Sequence, residues 1–317
     1  MRKDQFESPD YYMVEKLFSE EQIIVRDATR QWVKEYVSPI IEDCNLKGVF
    51  PKELIKGIAE IGGFGAIIPA EYGGSELDLI SYGLMMQELE RGDSSIRVIC
   101  SIQTSLVMNN IYEHGNDFHK EEFLLKLSKG ELIGSFGLSE PGHGSDPASM
   151  QTRHTIDGDH YIINGSKMWI GNAPFCDIAL VWSKSANDSY ACFIIQRNDP
   201  GFSTSKIDKK WSFRASETGE LIFDNCRVHK KYLLFESDSI NAALKSLNIA
   251  RYAVACGSIG IAMECYDVAL KYADERIQFG KKISSNQLIQ KKLVDMITEI
   301  TKAQLLNWKL GMMMNDG

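Results

Sequence analysis

No C-x-x-C pair occurs among the seven cysteines of this 317-residue chain (Cys44, Cys100, Cys176, Cys192, Cys226, Cys256 and Cys265), which argues against both a disulfide framework and a zinc site. The six histidines (His114, His119, His143, His154, His160 and His229) show no metal-ligand spacing, so no metal is expected. Neither G-x-G-x-x-G after a strand nor G-x-x-x-x-G-K-[ST] is present, which excludes the dinucleotide-fold fingerprint and the P-loop. Nothing resembles a nucleophile elbow. With a net charge of -8 and no clustered basic patch, neither nucleic acid nor an anionic membrane surface is an expected partner. The N-terminal MRKDQFESPDYYMVEK has no apolar core of signal-peptide type, and its early acids are unlike a mitochondrial transit peptide. The charge-free run Tyr252 to Met263 is too short to span a bilayer. A cytoplasmic protein without membrane insertion is expected, with the mitochondrial matrix as the alternative. Repeats and low-complexity segments are absent.

What is present is a soluble, globular composition, 44% hydrophobic and 25% charged, long enough for two or three domains. Ser19-Glu20-Glu21-Gln22 has the capping-box pattern, and Ile24, Ala28, Val33, Tyr36 and Val37 follow at helical spacing. Helical texture continues to about residue 132. From Ile133 the runs IGSFGL, HYIINGSKMWIGN, IALVWSK, YACFIIQR and GELIFDNCRV read as strands, with Asn164-Gly165 as a hairpin signal. Helices then return. Val254, Ile261, Cys265, Val268 and Tyr272 mark a face of one, and Ile289, Leu293, Met296, Ile300, Ala303 and Leu310 a face of another. The expectation is an α+β chain with a helical domain (1–132), a β domain (133–236) and a helical domain (237–317). Two amphipathic helices close a bundle poorly, so the last domain is expected to be incomplete and to leave an apolar face uncovered.

One stretch is richer in turn-formers than a connection needs: LSEPGHGSDPAS, from Leu138 to Ser149. Composition alone makes it a surface loop. Its wording goes further. FGLSEPGHGSDPASMQTR, then INGSKMWIGNAPFCDIALVW, then ARYAVACGSIG, then ADERIQFGKKISSNQLIQKKLVDM resemble the acyl-CoA dehydrogenase family in order and spacing, over essentially the whole chain. ELERGDSSIRVICSIQTSLVM, KKWSFRASETG and NQLIQKKLVDMITEIT place the resemblance nearest glutaryl-CoA dehydrogenase.

The resemblance implies FAD as cofactor, oxidation of an acyl-CoA thioester between Cα and Cβ, a homotetramer, and electron-transfer flavoprotein or a similar acceptor as partner. A carboxylate removes the α-proton while the β-hydrogen leaves as hydride. By position, Phe136, Leu138, Ser139, Ser145, Trp169, Ile170 and Gly171 would meet the flavin, Ser145 also the CoA arm, and Arg276, Phe279 and Gln287 the FAD of a neighbouring subunit. Glu90, Arg97 and Ser101 would line the far end of the acyl pocket, where Arg and Ser hold a distal carboxylate, and Asn248 and Arg251 would also bind substrate. From the residues alone, ELERGDSSIR reads better as a solvated helix end, and the resemblance is what favours the pocket.

Two positions depart from the family. A threonine commonly follows Trp-Ile, where this chain has Gly171. The usual basic Glu lies in a Tyr-Glu-Gly-Thr-like motif expected beyond Gly317, and the alternative place for it, before Arg251, is Ala250. No catalytic residue is therefore assigned within the chain, and turnover is expected to be low. For a glutaryl-CoA substrate the reaction could include decarboxylation to crotonyl-CoA; the alternatives are a dehydrogenase of an uncharged short-chain acyl-CoA, and a non-catalytic FAD- or acyl-CoA-binding subunit or fragment.

Overall fold

The computed structural model describes residues 10–316, so the first nine residues of the N-terminal reading, and Gly317 itself, lie outside the described residues. In chain order α1 (Glu20–Trp32) runs into a π-helical segment (Val33–Val37), then α2 (Ile41–Lys47), α3 (Leu54–Glu60), α4 (Leu79–Gly92), α5 (Ser94–Ser101), a second π-helical segment (Ile102–Met108), α6 (Asn109–His114) and α7 (Asp117–Ser128). The strands are β1 (Gly134–Gly137), β2 (Arg153–Asp157), β3 (His160–Gly171), β4 (Ile178–Lys184), β5 (Tyr190–Gln196), β6 (Phe202–Lys206), β7 (Thr218–His229) and β8 (Leu233–Ser237). Then come α8 (Asn241–Glu275), the short β9 (Ile277–Gln278) and β10 (Lys281–Lys282), and α9 (Gln287–Asn315). Ser19 caps α1 as its sequence predicts: its hydroxyl accepts from the Gln22 N–H, and the Gln22 side chain accepts from the Ser19 N–H at 3.0 Å.

The chain forms two compact units, one from the segments ending at Glu42, Asp78–Arg97 and Tyr252 onward, the other from Asp43–Leu77 and Val98–Arg251. In the second, the sheet order is β6-β7-β3-β2-β4-β5-β8, with β1 parallel to β4. Strands β4 and β5 alternate their side chains between two cores. Leu180, Trp182, Cys192 and Ile194 pack with Met108, Phe123 and Leu127, while Val181, Phe193 and Ile195 pack with Ile163, Leu221 and Phe223. Burial on both faces is why these strands read as unbroken apolar runs.

Three local expectations are corrected. Asn164-Gly165 is no hairpin turn. Strand β3 runs through it with a bulge, because Gly165 (φ +138) lies so close to Thr152 that a Cβ would stand 2.7 Å from its Cα. On α1 the buried residues are Gln22, Arg26, Thr29 and Trp32, while Ile24 is 67% exposed, because α1 docks through polar contacts such as Arg30 to Glu88 at 2.9 Å; of the expected face Val33 and Val37, in the π-helical segment, are buried. On α8 the expected face is the open one: Val254, Ile261, Val268 and Tyr272 are exposed, and Tyr252, Cys256, Ile259, Met263 and Tyr266 are buried. Helix α8 is apolar on both sides and is long and apolar enough to cross a membrane by length and composition.

The stripe expected to lie uncovered on the last helix is only partly so: Ile300 is buried and Leu293, Met296 and Ala303 pack against Ile259, Met263 and Tyr266, while Leu310, together with Leu288, Val294 and Leu306 outside the stripe, is exposed. Among the described residues of α9 only Ile300 and Gly311 are buried, and a groove of about 750 Å³ between α8 and α9 is lined by Ile259, Ala262, Met296, Ile300, Ala303 and Leu306.

Candidate active site

The turn-rich stretch leaves β1, projects into solvent, and returns to β2. Its outer part is open: Ser145 is exposed, and a Cβ on Gly142 or Gly144 would touch nothing. Its two necks are fixed. Lys167 on β3, fully buried, donates to the Leu138 carbonyl at 3.1 Å and pairs with the Glu140 carboxylate at 2.9 Å. Glu140 also accepts from the Gln151 N–H at 2.6 Å, the Thr152 N–H at 2.9 Å and the Thr152 hydroxyl at 2.6 Å. Burial alone would raise the Glu140 carboxyl, but the Lys167 charge and these donors hold it down at about 2. Burial draws the Lys167 ammonium down to about 8 against the pull of Glu140, so the pair is charged at neutral pH.

The Met168 N–H donates to the Ser139 carbonyl at 2.9 Å, so the loop start lies along β3 just before Trp169. The Ser139 N–H and hydroxyl have no partner among the described residues. Trp169 has φ +63 within an irregularity between Lys167 and Ile170, and its indole is 62% exposed. A bulky residue in the left-handed region is strained, and strain of this kind gathers at functional sites. Phe136, Leu138 and Ile170 are buried beneath. At Gly171 an added Cβ would lie 2.4 Å from Ile102 Cδ1, so the end of Ile102 occupies the space that a side chain at 171 would need. Two unpartnered donors, an exposed indole and a position without a side chain make a surface that fits a flat, acceptor-rich ring system such as a flavin.

In the other unit Glu90 and Arg97 are both buried and form an ion pair through Arg97 Nε. Gly257 on α8 makes room for it: a Cβ there would stand 2.5 Å from Glu90 Oε2 and 3.1 Å from Arg97 Nε. Arg276, Phe279 and Gln287 are all exposed. Phe279 is at the tip of the β9–β10 hairpin, where it (φ +51) and Gly280 (φ +75) form the two-residue turn, and Lys282 braces the hairpin on Asp274 at 2.9 Å. Ser101, Asn248 and Arg251 fall in the β-containing unit. Ser101 is buried with its hydroxyl donating to the Val98 carbonyl at 3.1 Å, and exposed Arg251 donates to Asn248 at 3.0 Å. Ala250 offers no acid or base. Sequence reading missed Glu140, Lys167, Ile102 and Gly257. A lysine in register with the inward Ile163 was the available signal for the first two.

Sequence profiles of the acyl-CoA dehydrogenase N-terminal, middle and C-terminal domains match residues 19–131, 135–226 and 240–317. The chain is 34% identical over 304 residues to an acyl-CoA dehydrogenase of Bacillus subtilis, covering 94% of this chain and 80% of that one. It is 34% identical over 308 residues to a glutaryl-CoA dehydrogenase of Desulfococcus multivorans, covering 94% and 79%. In structure it is similar to a glutaryl-CoA dehydrogenase of Mycobacterium smegmatis in complex with FADH2, with a TM-score of 0.93, 36% identity, and coverage of 96% of this chain and 78% of that one.

Proposed function

The chain belongs to the acyl-CoA dehydrogenase family, an FAD-dependent family whose order of helical, β and helical domains it shares, and from that premise we propose that it binds FAD together with glutaryl-CoA. When bound, FAD would supply the hydride acceptor for the β-hydrogen of an acyl thioester. The Ser139 N–H is a donor held in place beforehand, because the Leu138 carbonyl of its peptide is anchored by Lys167, so it would stabilise negative charge growing at the flavin edge without reorganising, and the Ser139 hydroxyl could turn to add a second donor. The exposed Trp169 indole gives that ring a flat surface. Exposed Arg276, Phe279 and Gln287 would hold the diphosphate and adenosine end of the FAD of a second copy, Arg276 through its planar fork, which makes the working form a homo-oligomer. Electrons would pass on to an electron-transfer flavoprotein or a similar acceptor.

The observation that carries the substrate reading is the buried Arg97. A guanidinium kept out of water and oriented by Glu90 is the group suited to a distal carboxylate. The same pair favours a second reading, an uncharged short acyl chain, because Glu90 already balances the charge. Binding separates the two, and it is the better measure because Ala250 supplies no base. Replacing Glu90 and Arg97 together by Gln leaves no unpaired charge. Glutaryl-CoA affinity is then expected to fall about 10- to 100-fold, the loss of one charge-assisted carboxylate contact, with butyryl-CoA affinity unchanged. Equal losses for the two thioesters would refute the glutaryl reading.

A further inference from the structure

We propose that the Glu140–Lys167 pair is a positioning device for the flavin edge, fixing the peptide plane that carries the Ser139 N–H and closing the two necks of the loop around it. The proposal rests on the flavin reading above and goes beyond it, since neither residue is among those assigned to touch the ring.

The geometry is specific. The Leu138 carbonyl is held by Lys167 Nζ and the Ser139 carbonyl by the Met168 N–H, so both carbonyls flanking Ser139 are anchored to β3. With those planes fixed, the direction of the Ser139 N–H is fixed too. Glu140, the next residue, closes the other neck by accepting from Gln151 and Thr152. One buried carboxylate and one buried ammonium therefore join three segments: the loop start, the loop end, and the strand carrying Trp169 two residues on. The surroundings leave little freedom. Lys167 and Met150 are fully buried, Thr152 is 1% exposed, and Gly137 packs so closely that a Cβ would lie 3.2 Å from Lys167 Cγ. A surface ion pair could do none of this, because exposed pairs hold their geometry weakly. The same burial makes the removal of one partner alone unfavourable, so the informative change removes both.

The test compares the chain with its Glu140→Gln/Lys167→Met double variant. Hydrogen exchange of the apo chain reads the necks, and quenching of FAD fluorescence reads affinity. The double variant is expected to melt close to the parent, to exchange amides 139–151 about tenfold faster or more, and to bind FAD about tenfold more weakly, the equivalent of one lost hydrogen bond. Thr152→Val is the milder variant should the double one not fold. It removes the hydroxyl at 2.6 Å from Glu140, and a smaller change in the same direction is expected. Unchanged exchange in a folded variant overturns the proposal, as does faster exchange with FAD affinity within about twofold of the parent, a difference too small to represent a lost bond. A parent chain that takes up no FAD sinks the flavin reading instead, and exchange at the necks still decides whether the pair pins them.

Discussion

Placing a side chain at Gly171 should expose a packing coupling with Ile102. The backbone there is not left-handed, so Ala is sterically admissible as far as φ is concerned, and replacing Gly would by itself stabilise by about 0.4–1 kcal/mol through the unfolded chain. The contact opposes this. A Cβ would sit 2.4 Å from Ile102 Cδ1, where carbon atoms prefer about 3.5–4.0 Å, so the tip of Ile102 must retreat by more than 1 Å. Val98 Cγ1 at 3.8 Å is already at ordinary contact and needs no change. Ile102 is stiff at χ1, so it accommodates through an off-rotamer χ2 or a small shift of its π-helical segment. Overpacking of this kind costs about 1–3 kcal/mol, leaving Gly171→Ala destabilised by roughly 0.5–2 kcal/mol. Ile102→Val removes the clashing methyl and, at a half-buried position, costs about 1 kcal/mol or less. In the double variant the clash is gone, so the two changes should couple favourably by about 1 kcal/mol, or 2–4 °C in melting temperature for a unit of this size. Thermal unfolding of the four chains of the cycle, followed by tryptophan fluorescence, measures it. Additivity within about 0.4 kcal/mol would mean that Ile102 does not fill the space beside residue 171, and the account of this position would fall. If coupling is found, Gly171→Thr should be tolerated only with Ile102→Val.

Gly257→Ala should displace the Glu90–Arg97 pair, whose carboxylate oxygen would lie 2.5 Å from the new carbon, destabilising the helical unit by about 1–3 kcal/mol in thermal unfolding and weakening glutaryl-CoA more than butyryl-CoA. Arg276→Ala, on an exposed hairpin, should leave the melting temperature of the apo chain unchanged yet weaken FAD loading by about 1.5–3 kcal/mol, roughly 10- to 150-fold by equilibrium dialysis. Flavin loading that survives dilution to monomer would contradict the oligomer behind that reading. For pH, burial and, to a smaller extent, the Arg153 charge together hold the His154 imidazole at about 4 against an ordinary 6.5. The unfolded chain then takes up a proton that the folded one refuses, so stability present above pH 6.5 is lost as the pH falls toward 4. His154→Gln should flatten the melting temperature over that window, and an unaltered slope would assign the loss to other groups.

How much of this was legible in the sequence depended on whether the deciding contact was local. The capping box at Ser19 and Gln22 lies within one turn, and it formed as read. The doubly buried β4 and β5 announce themselves by continuous apolar residues. The α8 face went wrong for a physical reason: its contact side is made partly of small residues that carry no hydrophobic signal. Gly260 approaches α4 so closely that a Cβ would stand 2.0 Å from the Gln87 carbonyl, and Gly83 on α4 does the same toward Tyr252 and Cys256. Tyr252, Ile259, Met263 and Tyr266 lie on that side too, but Val254, Ile261 and Val268 form an equally regular apolar stripe on the open one, so periodicity alone does not choose between them. Asn164-Gly165 is the reverse case, a strong local signal overruled by Thr152, a residue from another strand region. Lys167 is the hardest of all. A lysine is ordinarily solvated, and its carboxylate partner stands 27 residues earlier. Yet its register was readable, because Ile163 and Lys167 are spaced to face the same side of β3, and a cation aimed inward must find an acid. The loop it borders offers two, Glu140 and Asp146. Only Glu140 has carbonyl-anchored neighbours at a loop neck rather than an exposed place near the tip, so the pairing follows from position within the loop, which sequence spacing alone does not encode.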